Sequence, residues 1–169
     1  MNKLLILTVL ALPQFALAQK PVAKKANAKP AAAPVQSTPV LSDAFARAGL
    51  KALILIGDDS DKTKEALEDV KIEMDAARHR DEVVMWANLL IYQTAHFTTK
   101  TDLNTLRLQK EAECYKQADK TCSDPRAFDD AVRADSRYQE LTSKDSHCSA
   151  TLERAFRDRV SIEYPKECK

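Results

Sequence analysis

The sequence predicts an all-α fold, a small disulfide-stabilised bundle of about five helices, and three observations predict it. From Leu41 to the end of the 169-residue chain only Gly49, Gly57, Pro125 and Pro165 punctuate the sequence, too few for the tight turns that a sheet protein of this size needs. Apolar residues recur at helical spacing in one segment after another. The four cysteines, Cys114, Cys122, Cys148 and Cys168, all lie in the C-terminal third, and none forms a CxxC pair.

The N-terminus reads as an export signal. Lys3 supplies positive charge, Leu4 to Leu12 is uncharged, and Ala16-Leu17-Ala18 has the small-x-small pattern of a cleavage site, so residues 1–18 are expected to be a signal peptide that leaves Gln19 first. The apolar run is shorter than the roughly 20 residues that span a bilayer. No transmembrane segment is therefore expected after cleavage. Residues 19–40, rich in Ala, Pro and Lys with no aromatic or acidic residue, cannot bury enough apolar area to offset their ordering entropy and predict a disordered tail. Residues 41–169 then form a single helical domain. In an exported chain the even cysteine count predicts two disulfides.

Charge divides along the same boundary. Lys3, Lys20, Lys24, Lys25 and Lys29 are the only charged residues before position 41, so 21 of the 26 basic residues face all 25 acidic ones in the domain, which is near −4. An acidic domain argues against nucleic acid as a partner. Lys20, Lys24, Lys25 and Lys29 admit two readings, a surface-binding tail for anionic lipid or cell-wall polymer and a solvated spacer.

The elements follow in order. Ser42 is a good N-cap for a first helix carrying Phe45, Ala48, Ala52 and Ile56 on one face, and Gly57 is placed to close it. The alternative reading of "ALILI" (52–56) as a strand has no second strand to pair with. A second helix follows "DDSD" with the stripe Ala66, Leu67, Val70, Met74 and Ala77. "VVMWANLLIY" (83–92) is apolar all round and belongs in the centre, and "RHRDE" before it leaves residues 60–97 as one bent helix or two, with a break near Arg80 preferred.

Another helix is expected from Thr101 or Asp102 to near Cys122, with Leu108, Ala112, Tyr115 and Ala118 on one stripe broadened by Leu103 and Leu106. "TCSDPRAF" (121–128) then reads as a stapled helix start: Ser123 caps, Asp124 suits the first turn and Pro125 needs no amide donor. Phe128, Ala131, Val132, Asp135, Tyr138 and Leu141 continue that helix. Ser146 opens the last one, in which Cys148, Leu152, Ala155, Phe156, Val160 and Tyr164 share a face before Pro165 ends it.

Helical geometry would hold Cys114 and Cys122 about 12 Å apart, beyond a bridge's reach of roughly 7 Å between Cα atoms, unless the helix unwinds between them. With the last two helices antiparallel, the preferred pairs are Cys122 with Cys168 and Cys114 with Cys148.

Searches for chemistry exclude most classes. Two isolated glycines make no phosphate-cradling loop, and neither GxSxG nor HExxH occurs. "DDSD" (58–61) fails as a calcium loop, because counting from Asp59 the sixth position is Lys64 and the twelfth Val70. No metal, cofactor or catalytic residue is assigned. His79 and Glu82, three apart, are the minimal start of an acid–base pair, against solvated charge at a helix junction. His147 beside Cys148 would lose a zinc co-ligand on oxidation of the thiol. Asn88 and Asp135 are buried polar candidates that satisfy neighbouring groups.

"CSDPRAFDDAVRADSRYQEL" (122–141), with Cys122, Ser123, Asp124, Pro125, Tyr138 and Leu141 in comparable places, resembles the cysteine-led helix of the LprI-type lysozyme inhibitor domains over about twenty residues. That family's leucine–aspartate step is absent here, and no residue role carries over. The resemblance implies inhibitor-like binding to an extracytoplasmic enzyme such as lysozyme. The leading expectation from the residues is a periplasmic or secreted helical protein that works by binding another protein or an envelope component. An enzyme using His79 and Glu82 is the rival class, and a functional basic tail carried by an inert domain is a third.

Overall fold

The structure, a computed structural model, describes residues 40–58, 61–117 and 120–169. The expected signal peptide and almost all of the expected tail, with Lys20, Lys24, Lys25 and Lys29, lie outside the described residues. The domain is a five-helix bundle with two disulfides: α1 (Asp43–Asp58), α2 (Thr63–Ala77), α3 (Arg80–Lys116), α4 (Pro125–Arg133) and α5 (Ser136–Asp158), with 3₁₀ turns at Lys120–Ser123 and Lys166–Cys168.

The core forms at one end of the bundle. Phe45, Ala52, Leu53 and Ile56 of α1 meet Ala66, Leu67 and Val70 of α2, Met85, Leu89 and Tyr92 of α3, and Leu152, Ala155 and Phe156 of α5, all buried. Tyr92 is the last α3 residue in that cluster. Beyond it α3 runs on, so that its C-terminal half, α4 and the start of α5 make a thinner arm around buried Leu106 and Val132.

Local chemistry sets the helix ends. Ser42 caps α1 as expected, its Oγ accepting from the Phe45 amide at 3.2 Å. Its own amide donates to Glu82 Oε1 at 2.8 Å, while the Val40 and Leu41 amides donate to the Arg159 carbonyl at 2.9 and 3.0 Å. Gly57 does not take the left-handed conformation; α1 continues through it to Asp58. Nothing lies within 4 Å of where a Cβ would stand on Gly57. Gly57→Ala should therefore raise the unfolding free energy by a few tenths to about 1 kcal/mol, read from denaturant midpoints at unchanged slope.

The preferred break between α2 and α3 is present, at left-handed Arg78 (φ 55°) and extended His79. The expected start of a new helix at Thr101 is not. No glycine or proline stands between Arg80 and Lys116, and α3 runs 37 residues, about 55 Å. That continuity fixes the phase of its second half. The face that buries Met85, Leu89 and Tyr92 returns as Leu103 and Leu106, which turns Leu108 and Tyr115, expected on an inward stripe, outward to 56% and 68% exposure.

Two more boundaries move. Asp124, not Ser123, caps α4, accepting from the Arg126 and Ala127 amides, with Pro125 at the first helical position. The helix then ends at Arg133, because Asp135 is extended and caps α5 by accepting from the Arg137 amide at 2.8 Å. The "CSDP…QEL" stretch is thus two helices, and the last helix opens at Ser136 instead of Ser146. It ends at left-handed Arg159, before Pro165.

The disulfides pair Cys114 with Cys122 (Cα–Cα 5.9 Å) and Cys148 with Cys168 (5.6 Å), so the expected Cys122–Cys168 and Cys114–Cys148 bridges are corrected. α3 stops at Lys116, which removes the helical separation that had argued against joining Cys114 to Cys122. After Arg159 the chain doubles back along α5 in extended form, which carries Tyr164 into the core and Cys168 to Cys148 in mid-helix. Asn88 Nδ2 donates to the Ile162 carbonyl at 2.9 Å and ties that returning segment to α3.

Candidate binding surface

The residues singled out for chemistry are not brought together. His79 is exposed at the start of α3, whereas Glu82 is fully buried with Oε1 on the Ser42 amide and Oε2 without a hydrogen-bond partner among the described residues. Glu82 anchors the start of α1; it does not face His79's solvent. His147 stands 4.0 Å from Glu167, both on the surface. Asp135, besides capping α5, accepts an ion pair from Lys110 at 2.8 Å, and that pair, with the Arg137 amide, holds its carboxyl below the usual carboxylate range. No group of three His, Cys, Asp or Glu side chains among the described residues could hold a metal ion.

A pairing that sequence reasoning missed joins α3 to α5. His96 Nδ1 lies 3.1 and 3.0 Å from the two carboxylate oxygens of Asp145, with both side chains largely buried. Their separation of 49 residues left no local signal. Tyr92 packs beside the imidazole at 5.8 Å between ring centres. The pair lines a cleft of about 240 Å³ with Thr142, Ser146, Thr99 and Leu103. It orients one imidazole nitrogen and clamps the arm to the core.

Beneath it sits Tyr164, 2% exposed, whose hydroxyl has no hydrogen-bond partner among the described residues. Burial, then the nearby Tyr92 and Asp145, pushes its phenol well above the ordinary 10.0; burial raises Tyr92 as well. The unfolded phenols lose their protons first as pH rises past about 10, so the folded state binds more protons there and stability falls with rising pH. Tyr164→Phe removes a buried hydroxyl that no described residue satisfies. It should leave neutral-pH stability unchanged or raised by up to about 1 kcal/mol and flatten the alkaline decline, as thermal melts between pH 8 and about 11 would read.

The outward face of α3 is the unusual feature. Among the described residues the exposed large hydrophobic side chains are Val40, Ile54, Ile72, Val83, Leu90, Phe97, Leu108 and Tyr115, and the last five are all on α3. Between them stand Ala87, Thr94, Thr98, Thr101, Asn104 and Thr105, so an uncharged face runs along the helix in a chain that is 30% charged. The threonines do not make it wet. Thr94, Thr98, Thr101 and Thr105 each donate to the carbonyl four residues earlier at 2.9–3.0 Å, which spends the hydroxyl hydrogen and leaves the methyl to pack.

Beside this face, between α3 and α5, lies a groove of about 510 Å³ lined by Leu90, Ile91, Thr94 and Leu141, with Lys144 and Lys169 contributing positive charge. No helix among the described residues is long and apolar enough to cross a membrane. Compared with known proteins, the chain matches no family model, no curated protein and no solved structure.

Proposed function

We propose that the protein is an exported binding module, held rigid by its two disulfides, that engages a partner protein of the periplasm or extracellular space through the uncharged outer face of α3. The observation that carries this reading is the run of exposed Val83, Leu90, Phe97, Leu108 and Tyr115 along one helix. Contiguous apolar surface of that kind marks an interaction site. A partner of matching chemistry presents an apolar helix or groove, and nucleic acid does not suit an uncharged face on an acidic domain. Two disulfides among the described residues support an oxidising, extracytoplasmic setting, as does the signal-like segment 1–18.

The test is Phe97→Asp. Phe97 is 41% exposed and lies outside the core cluster, so the variant should melt within a few degrees of the parent. Used as bait against the extracytoplasmic fraction of its native source, it should lose a protein that the parent retains. Identical capture by both would contradict this assignment of the surface.

A further inference from the structure

One stripe of exposed residues can be followed at heptad spacing along the whole of α3. Arg80, Val83, Ala87, Leu90, Thr94, Phe97, Thr101, Asn104, Leu108, Glu111 and Tyr115 follow one another at alternating steps of three and four, and all but half-buried Glu111 are exposed. That is a heptad seam with a mean step of about 3.5 residues, the spacing that keeps one stripe facing a second helix over several turns. Its only charged members are Arg80 and Glu111, one near each end, and neither has an ion-pair partner among the described residues.

The positions of those two charges select the occupant. Antiparallel seams pack the two heptad positions alternately, and in one register of α3 against another α3 every layer from Arg80 to Glu111 is filled, with Tyr115 beyond the overlap. Phe97 then packs on Thr94 of the second copy, Leu90 on Thr101, Ala87 on Asn104, Val83 on Leu108, and Arg80 meets Glu111. The same contacts repeat across the two-fold axis. Shifting by one heptad in one direction lays Tyr115 on Val83 but sets Glu111 against Ala87 and leaves Arg80 beyond the overlap, each without a counter-charge; shifting in the other leaves Leu108 and Glu111 uncovered along with Tyr115. A parallel pair stacks Arg80 on Arg80 and Glu111 on Glu111. We infer that the partner for which α3 is built is a second copy of this chain, joined antiparallel about an axis between Ala95 and His96. This rests on the reading of that face as the binding surface and names its occupant.

The threonine-rich middle fits such a seam. Its hydroxyls are already bonded within the helix, so closing the seam orphans no donor there. The groove beside Leu90 and Thr94 leaves room for the incoming Phe97 ring.

Sedimentation equilibrium of the full oxidised chain at concentrations up to about 100 µM decides it, because association is set by mass action. The parent should be a dimer that dissociates on dilution, and Phe97→Asp a monomer. Arg80→Glu or Glu111→Arg alone should weaken the dimer by about tenfold or more, and the two variants, mixed or combined in one chain, should restore it. A parent that stays monomeric overturns the inference, as does a dimer indifferent to Phe97→Asp or to the charge reversals. If the parent is monomeric while Phe97→Asp still loses a captured protein, the binding surface stands and only its occupant is wrong. If capture is also unchanged, both fail.

Discussion

Replacing Phe156 with alanine should lower the unfolding free energy by about 3 to 5 kcal/mol, a large share of the roughly 5 to 15 available to a domain of this kind. Phe156 is fully buried, with its ring centre 6.0 Å from that of Phe45, where α5 crosses α1. The contact is close because position 49 carries no side chain: a Cβ there would lie 2.3 to 2.7 Å from three atoms of the Phe156 ring. Gly49→Ala should accordingly cost about 1 to 3 kcal/mol by overpacking, even though alanine is the better helix former. The two effects are not independent. In the Phe156→Ala background the new methyl enters vacated space, so the cost of Gly49→Ala should vanish or reverse, and a double-mutant cycle by urea denaturation reads the coupling. Additive costs would mean that α1 and α5 do not meet at this point.

Removing the Cys148–Cys168 bridge, with alanine at both positions, should cost about 2 to 5 kcal/mol, and more than removing Cys114–Cys122. The first closes a span of 20 residues and the second one of 8, so chain entropy alone favours that order by somewhat under about 1 kcal/mol. Packing adds to it. Cys148, Tyr164 and Cys168 are all buried in the core cluster, and the returning segment also accepts the Asn88 hydrogen bond, whereas neither Cys114 nor Cys122 is fully buried. Amide exchange should show residues 160–168 losing protection in the first variant, with α1 and α2 following as the core loosens. Equal costs would contradict this division between core and arm.

The helical class, the two bridges and most of the core were legible because each is a local or compositional property. Phe45, Ala52 and Ile56, the Ala66–Val70 stripe, and Leu152, Ala155 and Phe156 are buried as their spacing implies. What was not legible depends on how far a helix runs. Reading a new helix from Thr101 let Leu108 and Tyr115 choose their own inward direction; in the continuous helix Met85, Leu89 and Tyr92 have already chosen it for them. The same residues that looked like a core stripe became the candidate interaction surface.

The disulfide pairing failed for a related reason. It assumed that helix continued to Cys122, whereas α3 ends at Lys116 and Cys122 is bridged to Cys114. His96 and Asp145 stayed hidden because no spacing rule links residues on two helices before the helices are placed. Glu82 was misread as surface charge. Its burial follows from the Ser42 amide at the mouth of α1, a partner forty positions earlier in the chain.

Oxidative footprinting tests most directly whether the outer face of α3 is where the protein works. Leu90, Phe97, Leu108 and Tyr115 would be labelled in the purified protein at high dilution and again in its native extracytoplasmic setting. Ile54 and Ile72, 65% and 58% exposed on α1 and α2, serve as internal references. The account predicts that the four α3 side chains are protected in the native setting while the two isoleucines label as before; equal labelling of all six in both conditions would show that the face is left uncovered and contradict it.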